Sequence, residues 1–175
     1  MAKLKKAVTW RRLERPYTRK SKYKILSYVR GTPTSKVIRY VMGNSNIKFD
    51  TRLFLISKSD LQIRHNAIES ARQASNRLLE KVLGKDQYRF VVRMYPHHIL
   101  RENPLAAGAG ADRMSTGMAR SFGKAVGLAA QVKEGKIMFE VDVNKQHIET
   151  ARQALTKAKT KIPCSCSIVV ESVKN

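Results

Sequence analysis

The sequence predicts an α+β sandwich, a mixed or antiparallel sheet with two helices packed together on one side. Two strand–helix–strand passages recur along the chain, the first beginning at RLFLISK and the second at IMFEVDV. Their helices carry near-identical heptapeptides, IESARQA from Ile68 and IETARQA from Ile148. The 175 residues are 42% hydrophobic and 27% charged, a globular composition on a chain long enough to bury a core.

Taken in order, KVIRYVMG (Lys36 to Gly43) is broken by Gly43, Asn44 and Asn46 and reads as an edge strand or hairpin arm. RLFLISK, from Arg52, is a short apolar run expected as a buried strand. Ser59 and Gln62 have the spacing of a capping box, opening a helix whose stripe is Leu61, Ile68, Ala71, Ser75, Leu78 and Val82. Gly84 is placed to end that helix. YRFVVRMY (Tyr88 to Tyr95) follows as a strand stopped by Pro96. IMFEVDV (Ile137 to Val143) is the next strand. Asn144 then caps a helix with Ile148, Ala151, Leu155 and Ala158 inward, ended by Pro163. CSIVVESV (Cys166 to Val173) closes the second unit. The shared heptapeptide suggests a weak internal duplication, although two repeats do not make a solenoid.

Charge sets the class of partner. Thirty-five Lys and Arg against 13 Asp and Glu leave a net +22 and a pI near 10.5. A field of that size opposes compaction and attracts a polyanion, and a domain pI above about 9 is the footprint of nucleic-acid binding. The first 24 residues, MAKLKKAVTWRRLERPYTRKSKYK, hold ten Lys or Arg against one acid, Glu14. Trp10, Tyr17 and Tyr23 are interspersed among them, which suits stacking on bases or sugars. The expectation is an arm, residues 1–30, that is mobile alone and ordered on RNA. Residues 31–175 then form a single α+β RNA-binding domain with a flexible loop at about 101–135.

No apolar run approaches the roughly 18 residues of a membrane span, and MAKLKKAVTW lacks the apolar stretch of a signal peptide. A cytoplasmic protein with no membrane partner is expected. Cys164 and Cys166 are expected as reduced thiols on opposite faces of a strand, poorly placed for a disulfide, at least one of them in the core.

Between Pro96 and Ile137 neither hydrophobic period survives, and six of the nine glycines fall there, from Gly108 to Gly135. Long irregular connections inside a domain are normally functional. Five residues separate Gly117 from Gly123, one too many for a Walker loop, and Ala125 follows Lys124 where a magnesium-binding hydroxyl is needed. The dinucleotide fingerprint fails because its third glycine would fall on Arg113. His65, His97, His98 and His147 do not combine with the cysteines in a zinc spacing. His97 and His98 read as surface or RNA-contacting. No catalytic group, metal or cofactor is therefore expected. Arg113, Arg120 and Lys124 instead spread cations along a backbone that glycine lets approach closely, and Ser115, Thr116 and Ser121 add hydroxyl donors. Met114, Met118 and Phe122, four residues apart, suggest one helical turn with an apolar side.

AGADRMSTGM (Ala109 to Met118) followed by FGK (Phe122 to Lys124) resembles the signature loop of a large-subunit ribosomal protein family. It is the L-ten-e family of archaea and eukaryotes, counterpart of bacterial L-sixteen. RPYTRKSKY (Arg15 to Tyr23), RMYPHHILREN (Arg93 to Asn103) and the IESARQA helix resemble other parts of it in order. The chain departs from the family's usual Arg-Gly and Gly-Lys-Pro in carrying Ala119-Arg120 and Lys124-Ala125. The resemblance implies an α/β hammerhead wedged into large-subunit rRNA beside the peptidyl-transferase region, joining the subunit late and without catalysis of its own. It implies a loop directed at the acceptor arms of A- and P-site tRNA through Arg113, Arg120 and Lys124. It implies rRNA contacts from Arg11, Arg12, Arg15, Arg19, Lys20 and Lys22, with neighbouring ribosomal proteins and assembly or escort factors as further partners. Two alternatives come from other classes. A basic architectural DNA-binding protein lacks a recognition helix here, and a nucleotide-dependent enzyme lacks a phosphate-binding fingerprint.

Overall fold

The computed structural model describes residues 5–18, 23, 25, 29, 31–103 and 123–173. Alternating apolar residues build a main sheet from β1 (Val41–Gly43), β2 (Thr51–Ser57), β4 (Tyr88–Val92), β7 (Ile137–Val143) and β8 (Cys166–Ser172). Its order is β1-β4-β7-β2-β8, and every neighbouring pair is antiparallel. Helix α1 (His65–Leu83) connects β2 to β4, and α2 (Ile148–Lys159) connects β7 to β8. Each strand–helix–strand unit thus spans a strand of the other: β7 lies between β2 and β4, and β2 lies between β7 and β8. This interleaving is the split β-α-β arrangement of ferredoxin-like folds. The expected α+β sandwich is present, with two antiparallel sheets rather than one.

The core lies between the main sheet and its two helices. Leu53, Leu55, Phe90, Phe139 and Val141 meet Ile68, Ala71, Leu79, Ala151 and Leu155, all fully buried. Phe90 and Phe139 stack with ring centroids 5.6 Å apart. Small residues allow the helices to come close: Ala71 and Ala151 occupy the same place in the two heptapeptides, and Ser75 Oγ donates to the Ala154 carbonyl at 2.9 Å. Both heptapeptides also hold an i,i+3 ion pair, Glu69–Arg72 and Glu149–Arg152. The sequence repeat therefore falls on equivalent helices of the two interleaved units.

Three expectations need correction. Ser59 and Gln62 do not cap α1. Leu61–Arg64 is strand β3, and the helix starts at His65 with no side-chain cap. Leu61 and Ile63 alternate with Gln62 and Arg64, the period of two of a strand, so Leu61 does not belong to the helical stripe. Leu79, not Val82, completes the inward face of α1, and Val82 is exposed. Gly84 does end the helix, at φ 75°, with its N–H on the Glu80 carbonyl.

Second, the stretch from Pro96 to Ile137 is largely regular where described. It contributes β5 (His98–Glu102) and β6 (Lys124–Val132), which join β3 in a second antiparallel sheet of order β3-β6-β5. KAVGLAAQV hides its strand because Gly127, Ala129 and Ala130 are weak strand formers that pack well only in this context. The proposed turn of Met114, Met118 and Phe122 lies outside the described residues.

Third, Cys164 and Cys166 do not point apart. Cys166 is buried in the core, as expected, but the two sulfurs lie 3.4 Å from each other. Residues two apart along an extended chain share a face.

Candidate nucleic-acid interface

The second sheet has two unlike faces. Leu61, Ile63, Ala130 and Val132 point into the main core, while Gln62 and Gln131, cross-strand neighbours, point away from it. A buried glutamine needs partners for its amide, and here the N-terminal segment supplies them. Gln62 Nε2 donates to the Trp10 and Arg12 carbonyls at 3.3 and 2.6 Å, and Gln62 N–H donates to the Arg11 carbonyl at 2.9 Å. Gln131 Nε2 donates to the Glu14 carbonyl at 2.6 Å and to Gln62 Oε1 at 3.0 Å. Farther on, the Tyr17 N–H donates to His98 Nδ1 at 2.8 Å, and Ile99 N–H donates to the Tyr17 carbonyl at 3.2 Å.

The segment therefore crosses the sheet strand by strand: residues 11 and 12 at β3, residue 14 at β6, residue 17 at β5. It meets the outer edges of β3 and β5, whose backbone donors Gln62 N–H and Ile99 N–H are satisfied by its carbonyls. Residues 5–18 are thus hydrogen-bonded to the second sheet of the domain. The aromatic residues of this stretch face protein cations. The Arg64 guanidinium lies 5.2 Å from the centre of the Trp10 ring, and that of Arg101 lies 3.8 Å from the centre of the Tyr17 ring. Tyr23 is exposed.

Because the peptide groups of the segment face the sheet, its charged side chains project outward. Arg11, Arg12 and Arg15 are exposed, and none forms a salt bridge among the described residues. Lys5 is paired with Glu102 at the end of β5. On the outer face of the main sheet the charge pattern is reversed. Glu140 and Asp142, both buried, are enclosed by Arg52, Arg89 and Arg93 at 2.5 to 2.8 Å for the closest oxygen of each. The domain neutralises its arginines there and leaves those of the N-terminal segment unneutralised.

Of the predicted contacts, Arg11, Arg12 and Arg15 share this outward face. Arg19, Lys20, Lys22, Arg113 and Arg120 lie outside the described residues. Lys124 is exposed as the first residue of β6, opposite Glu102 in register, so it stands at the base of the glycine-rich segment and not within it.

Sequence reasoning missed several neighbours. Lys133 and Lys136 share a groove with Leu13 and Glu14. Lys5, Trp10, Lys36, Arg64 and His65 line a cavity of about 340 Å³. Burial, and then the charges of Lys36 and Arg64, hold His65 below the ordinary histidine range. Only the pairing of β3, β5 and β6 brings these residues together, and local sequence carries no signal of it.

His98 is also not a surface residue: it is 2% exposed. Burial first, then the charges of His97 and Arg101, lowers its pKa to about 4, so the ring is neutral and its Nδ1 accepts the Tyr17 N–H at 2.8 Å. His97 is exposed. Among the described residues no group of three or more His, Cys, Asp or Glu is placed to hold a metal ion, and no helix is long and apolar enough to cross a membrane.

Comparison with known proteins adds a second line. The family described as ribosomal protein L16p/L10e matches residues 13–169. The large ribosomal subunit protein uL16 of Methanococcus maripaludis is 51% identical over 156 residues, covering 89% of this chain and 87% of the relative. That of Archaeoglobus fulgidus is 46% identical over 167 residues, covering 95% and 92%. That of Methanococcus aeolicus is 42% identical over 177 residues, covering 98% and 99%.

Proposed function

The chain belongs to the ribosomal protein L16p/L10e family, and from that premise we propose that it is a structural constituent of the large ribosomal subunit, working in the cytoplasm. In this reading residues 1–30 and the faces of domain 31–175 neutralise rRNA phosphates near the peptidyl-transferase region. The glycine-rich segment reaches the acceptor arms of A- and P-site tRNA. Family membership favours a structural part of the ribosome over an enzyme, and ribosomal RNA over duplex DNA. Neighbouring ribosomal proteins, and assembly or escort factors, complete the set of proposed partners.

The observation that carries this reading is the outward row of Arg11, Arg12 and Arg15, free of salt bridges among the described residues. Phosphate contacts need exposed cations on a fixed frame, and the hydrogen bonds through Gln62 and Gln131 supply the frame. Lys133 and Lys136 extend the same surface. Arg19, Lys20 and Lys22 continue the basic run in sequence. Arg113, Arg120 and Lys124 are assigned to the tRNA-facing segment, Lys124 from its base.

The test is competition between structured large-subunit rRNA and duplex DNA at equal salt, with co-sedimentation on large subunits. RNA preference is expected, together with a steep loss of affinity as salt rises. Replacing Arg11, Arg12 and Arg15 by Gln should flatten the log–log salt slope by roughly one per residue removed. Arg113→Ala with Arg120→Ala should spare subunit incorporation and weaken tRNA binding by the assembled particle. Preference for duplex DNA, or a flat salt dependence, would overturn the reading.

A further inference from the structure

The rRNA reading leaves one close pair of reactive side chains unused. Cys164 stands in the bend before β8, half-buried, and Cys166 is the first residue of β8, buried beside Ser57 of β2. Their sulfurs are 3.4 Å apart, and Ser57 Oγ, which donates to the Ser59 carbonyl at 2.7 Å, lies 3.9 Å from Cys164 Sγ. A disulfide needs the sulfurs at about 2.05 Å, so closure requires an approach of roughly 1.3 Å. Cys164, only partly packed against the core, is the better placed of the two to make that movement. It lies outside the β2–β8 ladder, which Cys166 begins in register with Ser57. Only Cys164 is open to a solvent-borne reagent.

We infer that Cys164 and Cys166 form a peroxide-reactive dithiol, a modification site that closes to a reversible intramolecular disulfide. The geometry assigns unlike roles to the two sulfurs. Cys164 attacks because it is accessible and lies within 3.4 Å of the second thiol, and Cys166 resolves because it is buried behind it. The titration of the pair agrees. The Cys166 hydrogen bond first, then the Ser57 hydroxyl and the Arg11 guanidinium, lowers the Cys164 thiol to about 7 against the opposing effect of burial. The same hydrogen bond, burial and the charge on Cys164 push Cys166 up, so it keeps its proton.

The chemistry balances with hydrogen peroxide as the oxidant. The Cys164 thiolate attacks one peroxide oxygen, the O–O bond breaks, and hydroxide leaves, giving Cys164 sulfenic acid. The Cys166 thiol then attacks the Cys164 sulfur. The S–S bond forms, the S–O bond breaks, and the oxygen departs as water with the Cys166 proton. Sulfur loses two electrons overall and peroxide gains them.

The test uses the full chain, treated with hydrogen peroxide under native conditions. Both thiols should disappear with a loss of about 2 Da, on a monomer and within the single tryptic peptide 162–174, and dithiothreitol should restore them. Cys166→Ser should halt at a sulfenic acid on Cys164 that dimedone traps. Cys164→Ser should lose the fast reaction. The wild-type peptide mass decides the question even where a variant fails to fold. Unchanged thiols, sulfinic or sulfonic products without a disulfide, or disulfide-linked dimers alone would overturn the inference. None of these outcomes depends on whether the protein binds RNA.

Discussion

The main sheet buries Leu53, Leu55, Phe139 and Val141 under α1 and α2, whereas the second sheet has one face roofed by an irregular segment held through Gln62, Gln131 and His98. The first is closed by apolar area, which is non-directional and roughly additive. The second is closed by directed hydrogen bonds, each of which fails when a single partner is lost. The contrast explains how a strongly basic stretch is held in one conformation. Its backbone is spent on the sheet, and its arginines remain available. A segment bound by its own apolar side chains would have had less sequence left for charge.

The sharpest way to break the comparison is to damage the apolar side. Leu155→Ala, at a fully buried site of α2, should lower global stability by about 2–5 kcal/mol. Urea denaturation followed by far-UV circular dichroism measures it, and the loss should appear as a lower midpoint for the whole domain.

Damage on the polar side should be smaller and local. Gln62→Leu removes the donor to the Trp10 and Arg12 carbonyls and should cost about 1–3 kcal/mol. Because Trp10 is the sole tryptophan, release of the segment is read directly as a red shift of its emission without denaturant. An unfolding midpoint that moved as far as with Leu155→Ala, with no emission change, would contradict local closure.

The smallest effect is that of pH. His98 has a folded pKa near 4, below the ordinary histidine value of 6.5, so the released state binds the proton more readily. Its contribution is whole above about pH 6.5 and is lost progressively as pH falls toward 4. Protonation occupies Nδ1 and takes away the acceptor of the Tyr17 N–H. The protection factor of the Tyr17 amide, its exchange relative to an unstructured amide at the same pH, should therefore fall across this window. His98→Asn should remove the pH dependence.

The main sheet was legible in sequence because its strands and helices carry their own periods. IMFEVDV became β7 at the residues expected, and the two heptapeptides marked equivalent helices. The second sheet was not legible, and the reasons are physical. β6 is built on Gly127, Ala129 and Ala130, which have strand character only where neighbours pack on them. β3 is four residues long and abuts α1 directly, so its alternation runs into the helical pattern and is too short to stand out from it. The charge of the N-terminal segment was plain in the sequence. Its seating was not, since it depends on Gln62 and Gln131 facing each other across strands that are 69 residues apart in the chain.

The register of β5 and β6 has a consequence for how the molecule tolerates change. Glu102 and Lys124 are paired neighbours, so the chain leaves the second sheet and re-enters it at a single place. β5 and β6 are thereby the two arms of a hairpin, and the number of residues that joins them is set by neither sheet. Closing a loop depends only logarithmically on its length, about 0.6 kcal/mol for each doubling. Insertions, deletions or a transplanted relative's sequence in that connection should leave the fold intact. Evolution and the protein engineer can therefore both rewrite the connection between β5 and β6 without redesigning the sheet that holds its ends.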